Sequence, residues 1–417
     1  MMGDEFKTWL DGPVKKIDVK LESVEKEEHH IRGRVDERFK PLFDVFCRNF
    51  DKGWEAAGAS FAVFKDGELC VDLYGGYADV ENKVLWTEHT TSVLFSTTKS
   101  ISSVVLAYVM NGNGLTYDEK IINFWPEYGA NGKSEHTLKD VVTHQAGLPY
   151  TEVITKREDI LNVDRMAKYF ETATPIKEAG PVYHALTFGL LLDQIVRRID
   201  AKGRGLVQVF EENIVKKFGI EDLSIGLKRP EDNATVAVLT ELSDDEVMRQ
   251  GKTNKEAMRR FTAGSNEHTH NVYLSFPWIT TNDYNVLENR LVPMPSNMGI
   301  GNARSLAHFH SLLNDDSLLP KEFRQNFAAP QVPDAFDYGI GYEEDKGCGF
   351  QFTPNPYYDC IFGHSGFGGQ NVRVDMRNGV SFAYVSNGLK LADADLVEPW
   401  MALVNELYDV MRTMWKY

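Results

Sequence analysis

The chain has 417 residues, 42% hydrophobic and 25% charged: the composition of a folded globular protein, at a length that suits two lobes better than one. A net charge of −16 with no compensating Lys/Arg-rich block argues against nucleic acid as a partner. The N-terminus carries charges at Asp4, Glu5, Lys7, Asp11, Lys15 and Lys16, which fits neither a secretory signal nor an Arg-rich presequence; no apolar stretch reaches the roughly 20 residues of a membrane span, so a cytoplasmic location is expected.

Residues 1–34 are polar and charge-dense, with Glu25-Lys26-Glu27-Glu28 followed by His29-His30, and read as a loosely ordered extension. From Val35 onward, Phe39, Leu42, Phe43, Phe46, Cys47 and Phe50 recur at helical steps. Two strand-like runs, Ser60 to Lys65 and Glu68 to Tyr74, flank Asp66-Gly67, a strong hairpin signal. Ile101 to Met110 contains no charge and ends at Asn111-Gly-Asn-Gly114, the pattern of a helix buried on all sides. Further helical patterns cover Leu138–Thr143, Ala185–Ile199 and Ala303–Leu313. A second hairpin flanks Asn378-Gly379: Val372 and Val374 share one face of its first strand, and Phe382 and Tyr384 alternate in its partner. The tail from Asp395 to Trp415 is again helical.

Helix and hairpin at the front, with hairpin and helix at the back, predict one antiparallel sheet closed by both ends of the chain. The expected division is a sheet domain of residues 35–96 and 326–417 and a mainly helical domain, 97–325, inserted in it. The four cysteines, Cys47, Cys70, Cys348 and Cys360, have no paired spacing and are expected to be free or buried thiols.

An S-x-x-K pair on a helix puts the amine one turn from the hydroxyl on the same face, which makes a serine nucleophile feasible without histidine. Ser23-Val-Glu-Lys26 and Ser96-Thr-Thr-Lys99 both match, and about one match is expected by chance. Context favours the second: Ser96 follows Val93-Leu-Phe95 and opens the apolar helix, whose N-terminus offers N–H groups to an oxyanion. By spacing alone Ser96 reads equally as nucleophile or as N-cap. Gly363-His-Ser-Gly-Phe-Gly-Gly369 precedes a strand and reads as a glycine-rich turn or as a backbone that approaches a ligand closely. Tyr183, taken singly, reads as a core tyrosine.

Other chemistries fail on particular residues. Phe367 stands where a G-x-S-x-G elbow needs its last glycine. His29-His30 and His268/His270 lack zinc-site spacing and read as solvated surface. Gly132-Lys-Ser134 and Gly251-Lys-Thr253 have Glu127 and Glu246 where a P-loop begins with glycine.

In order along the chain, Phe95-Ser-Thr-Thr-Lys99, Tyr183-His-Ala185 and His364-Ser-Gly366 resemble the three motifs of the serine β-lactamase and penicillin-binding-protein superfamily, most closely class C β-lactamases and family VIII carboxylesterases. Trp125-Pro-Glu127 with Asn131-Gly132, Val142 to Pro149, and Gly299 to Leu306 agree, so the resemblance runs from about residue 36 to the C-terminus. It implies an α+β fold of β-lactamase/transpeptidase type: an antiparallel five-stranded-type sheet flanked by helices, with a large, mainly helical insertion. It also implies Ser96 as nucleophile, Lys99 and Tyr183 sharing its proton, the backbone N–H groups of Ser96 and Phe367 as oxyanion hole, and His364, Ser365 and Gly366 against the substrate.

Two departures bear on substrate. Ala185 replaces the asparagine that class C enzymes carry two residues after the tyrosine, and His364 replaces the lysine of K-T-G. Both weigh against antibiotic hydrolysis and towards esters of small or medium size, with no metal or cofactor. The rival readings are a catalytically weak or inactive scaffold or filament protein, and a peptidase or amidase in the same cleft; assembly into homo-oligomers is left open.

Overall fold

The computed structural model describes residues 17–392 and 394–414. Ten strands form the main antiparallel sheet: β1 (Leu21–Lys26), β2 (Ile31–Asp36), β3 (Gly58–Lys65), β4 (Glu68–Asp79), β5 (Val332–Asp337), β6 (Tyr342–Gly347), β7 (Phe350–Pro354), β8 (Cys360–Ser365), β9 (Asn371–Asp375) and β10 (Val380–Ser386). They lie in the order β1-β2-β4-β3-β10-β9-β8-β7-β6-β5, and the two-residue strand Val84–Leu85 adds to β4. The expected α+β class holds, and the sheet is wider than five strands. Asp66 and Gly67 turn the first hairpin with φ of 54° and 81°, as a two-residue I′ turn requires. Gly379, at φ 60°, closes the second.

The centre of the sheet joins the two ends of the chain, because β3 pairs with β10 from Val380↔Lys65 to Ser386↔Ala59. Side chains alternate between two faces. On one face Phe61, Val63, Phe382 and Tyr384 meet α1 (Lys40–Asp51) and α6 (Glu398–Met414) through Phe46, Phe50, Leu403 and Leu407. On the other, Ala62, Val372, Val374 and Ala383 share a core with α2 (Thr98–Gly112), α3 (Thr187–Ile199) and α5 (Ala303–Ser311). Between α3 and α5 lies α4 (Glu267–Ser275), a polar helix without an apolar stripe in its sequence. The charge-free run after Lys99 is buried along almost the whole of α2, as a helix surrounded by protein must be. Trp415, at the end of the expected tail helix, lies outside the described residues. No helix among the described residues is long and apolar enough to cross a membrane, and the four cysteines are unpaired, with Cys360 exposed.

One expectation is corrected. Residues 21–34, read as part of a loose extension, form together with Val35 and Asp36 a paired hairpin, β1 with β2, that continues the sheet beyond β4. Its charge density is that of an edge, where outward polar groups discourage further pairing; only Ile31, Val35 and Asp36 of β2 are buried. Residues 1–16 lie outside the described residues. The rival tetrapeptide Ser23 to Lys26 falls on this edge strand, where positions three apart point to opposite faces.

Ile31 is fully buried in the core shared with α1 and α6, so Ile31→Ala should cost about 2–5 kcal/mol and lower the urea midpoint. An unchanged midpoint would separate the hairpin from the cooperative unit.

Candidate active site

Ser96 sits at the bend where a short strand, Ser92–Val93, meets α2. The strand is held by the strand Gly299–Gly301 beside it. Phe95 takes a φ of 46°, a region that costs a non-glycine residue energy and persists only where the surroundings hold it. Thr98 Oγ1 provides that hold: it donates to Phe95 O at 2.6 Å and accepts from the Gly299 N–H at 2.7 Å.

Lys99, in the first turn of α2, is fully buried with its Nζ 3.1 Å from Ser96 Oγ. The amine donates to the carbonyls of Ala185 at 2.7 Å and Ser296 at 3.0 Å. Carbonyls only accept, so a neutral amine spends both N–H bonds on them and turns its lone pair to the Ser96 O–H, which donates to it. Burial, reinforced by the Lys346 ammonium, holds Lys99 well below the usual lysine value.

The Tyr183 ring lies beside this pair, its centroid 4.8 Å from Lys99 Nζ. Its segment is anchored by Asp337 Oδ1, which accepts from the N–H groups of Tyr183 at 2.9 Å, Gly339 at 2.7 Å and Ile340 at 3.2 Å. Behind it pack three buried histidines. His144 Nδ1 accepts from the His184 N–H; His184 Nε2 accepts from the Leu148 N–H, and its Nδ1–H donates to Val182 O. Each of those nitrogens is committed to a backbone group, and burial lowers the His184 pKa to about 4 and that of His144 well below the ordinary value. His364 is likewise lowered, chiefly by burial. The environment therefore removes, rather than restores, a positive charge at the position where K-T-G carries lysine.

The sequence-derived residues come together in part around one cavity of about 240 Å³. Ser96, Tyr183 and Phe367 line it, along with Ala185, Leu186, Val272, Tyr284 and Ile340. Among the described residues, neither the Ser96 nor the Phe367 N–H meets a hydrogen-bond acceptor within the chain. His364 and Ser365 are buried on β8 and do not line the cavity. Gly366 packs directly on the Ser96 bend: a Cβ there would fall 2.4 Å from Leu94 O and 2.7 Å from Thr97 Oγ1.

Three contributors escaped the sequence reading. Lys346 lies in the charged run Glu343 to Lys346, which reads as surface, yet it is buried. Asn297 is buried in the cavity wall against the Tyr284 hydroxyl. His268, expected at a solvated surface, lines the cavity from α4 and lies 3.3 Å from Glu178. Glu28 and His29, in the β1–β2 turn, and Asp51, at the end of α1, form a His/carboxylate cluster, but Lys26 Nζ already bonds Asp51 at 2.6 Å.

The sequence profile of the beta-lactamase family matches residues 46–406. The esterase/beta-lactamase LipL of Mycobacterium tuberculosis is 27% identical over 364 residues, spanning 86% of this chain and 83% of LipL. A penicillin-binding protein homologue from Caulobacter crescentus is 30% identical, with a TM-score of 0.77 over 91% of this chain and 99% of that one. A family VIII carboxylesterase, 23% identical, has the same fold, with a TM-score of 0.79 over 91% of this chain and 100% of its own. With a profile that extends from α1 into α6 and takes in every group gathered around the cavity, the chain belongs to the beta-lactamase family and is a hydrolase of that fold.

Proposed function

We propose that this hydrolase works through an acyl-serine intermediate and takes carboxylic esters of small or medium size. The observation that carries the reading is the Ser96 hydroxyl 3.1 Å from a buried amine whose remaining partners are two carbonyls. Ser96 Oγ attacks the ester carbonyl while its proton passes to the Lys99–Tyr183 pair. The carbonyl oxygen takes negative charge opposite the N–H groups of Ser96 and Phe367. Collapse of the adduct breaks the bond to the alkoxy oxygen, which leaves as the alcohol with that proton. Water, giving up its proton to the same pair, then attacks the acyl carbon and frees the acid and Ser96.

Ester preference is supported by the lining. Phe95, Leu186, Val272, Ile279, Tyr284 and Ile340 surround the cavity with apolar surface, suited to the chain of an ester. His364 offers no charge to a substrate carboxylate, and Ala185 offers no side-chain amide to a substrate peptide group. The similarity to LipL, named an esterase/beta-lactamase, and to a family VIII carboxylesterase points the same way.

Ser96→Ala should lower p-nitrophenyl acetate and butyrate hydrolysis by about 10⁴-fold or more and abolish labelling by a fluorophosphonate probe. Equal labelling of both proteins would end the nucleophile reading, and turnover of a D-amino-acid amide without the esters would replace the ester reading with the amidase one. Because the base acts as the free amine, activity is present above its pKa and lost as pH falls through it. With that pKa depressed by burial, the wild-type pH–rate profile should reach its plateau by neutral pH; activity that appears only near pH ~10, the ordinary lysine value, would refute a depressed amine. Gly366→Ala should reduce kcat more than 10-fold with about 1–3 kcal/mol lost in urea unfolding, since the added methyl meets the Leu94 carbonyl and displaces the segment after β8 from the Ser96 bend.

A further inference from the structure

Two lysines approach one tyrosine ring. Lys99 Nζ lies 4.8 Å from the Tyr183 centroid and Lys346 Nζ 5.7 Å. Both are buried, at 0% and 2% exposure, and two ammonium groups so placed are costly to keep charged together. Their partners differ in kind. Lys346 has carboxylates: it pairs with Glu344 and lies 3.2 Å from Asp337 Oδ2. Lys99 has carbonyls and a hydroxyl only. The charge therefore belongs on Lys346, and the free amine on Lys99. Asp337 ties this arrangement to the tyrosine, since its other oxygen holds the Tyr183 N–H.

We propose that Lys346 is an electrostatic positioning residue of this site: its buried ammonium, clamped by Asp337 and Glu344 beside the Tyr183 ring, is the fixed positive charge against which the Ser96–Lys99 pair operates. The proposal rests on the reading of Ser96 as nucleophile. It does not make Lys346 a substrate contact, because the residue does not line the cavity. The other ionisable groups around the pair leave the role to Lys346. His144 and His184, in loops, the latter just before α3, and His364 on β8 are all held neutral by burial. Arg373 on β9 acts on His364 and is itself paired with Asp395. Burial works against the Lys346 charge, but Glu344 and Asp337 outweigh it and raise its pKa, while Lys346 in turn helps to lower that of Lys99.

The test is kcat/KM for p-nitrophenyl acetate against pH in wild type, Lys346→Met, Lys346→Arg, Glu344→Gln and Ser96→Ala, with folding checked by near-UV circular dichroism. Loss of the neighbouring cation makes Lys99 easier to protonate, so Lys346→Met should move the acid limb up by on the order of one pH unit, costing up to about tenfold on that limb and recovering at high pH. Lys346→Arg should retain the wild-type limb. Should the methionine variant not fold, Glu344→Gln leaves the ammonium with Asp337 and makes the surroundings more positive, so its limb should move down. Coincident limbs in a folded Lys346→Met, a uniform loss at every pH, or an unmoved or raised limb in Glu344→Gln would overturn the proposal while Ser96→Ala stays inactive. An active Ser96→Ala would instead remove the nucleophile reading and the proposal with it.

Discussion

A lysine kept out of water is the constraint on which the site depends. An exposed amine would hold its proton at neutral pH and offer no lone pair to a hydroxyl. Lys99 escapes this because α2 is buried along almost its full length and because two carbonyls, from the ends of separate segments, occupy both N–H directions of the neutral form. The insertion between the two halves of the sheet thus does more than cover a face. It supplies the dry surroundings, the Ala185 and Ser296 carbonyls, and the tyrosine. The sheet supplies the opposing wall, with Gly366 brought against the bend so closely that no side chain fits between them.

Strain and electrostatics are arranged around the same few atoms. Phe95 is held at a positive φ by Thr98, which in turn is fixed by the Gly299 N–H. The bend therefore depends on pairing between segments some 200 positions apart, as the hydrogen bond from the Gly299 N–H to Thr98 illustrates. Asp337 does a comparable job on the opposite side. One carboxylate holds three backbone N–H groups through one oxygen and faces a lysine with the other. A group this heavily committed fixes the backbone of Tyr183 and the position of a charge at once.

Legibility followed signal type. The hairpins at Asp66-Gly67 and Asn378-Gly379, the buried helix after Ser96 and the amphipathic tail could be read because turn chemistry and periodicity are local properties. Ser96, Lys99 and Tyr183 could be named as candidates because spacing and order along the chain carry them, and the fold places the three side by side. What could not be read was set by partners far away. Lys346 sits among Glu343, Glu344 and Asp345, a run that looks solvated until β5 and the Tyr183 segment close over it. Residues 21–34 looked too polar to pack, yet an edge strand needs only one apolar side. Helix α4 shows almost no apolar stripe, because one side of it faces a cavity and another faces water.

The pairing of β3 with β10 carries a cost for a chain emerging from the ribosome. Lys65 must wait for Val380, and at ~5–20 residues per second that interval is some tens of seconds. Throughout it the newborn front hairpin presents an open row of amide and carbonyl groups, and Phe61 and Val63 have α1 to cover them but not yet α6. Contacts so remote in sequence form slowly even in a finished chain. Until β10 arrives, that unmatched strand edge is the part of the chain most exposed to wrong pairing.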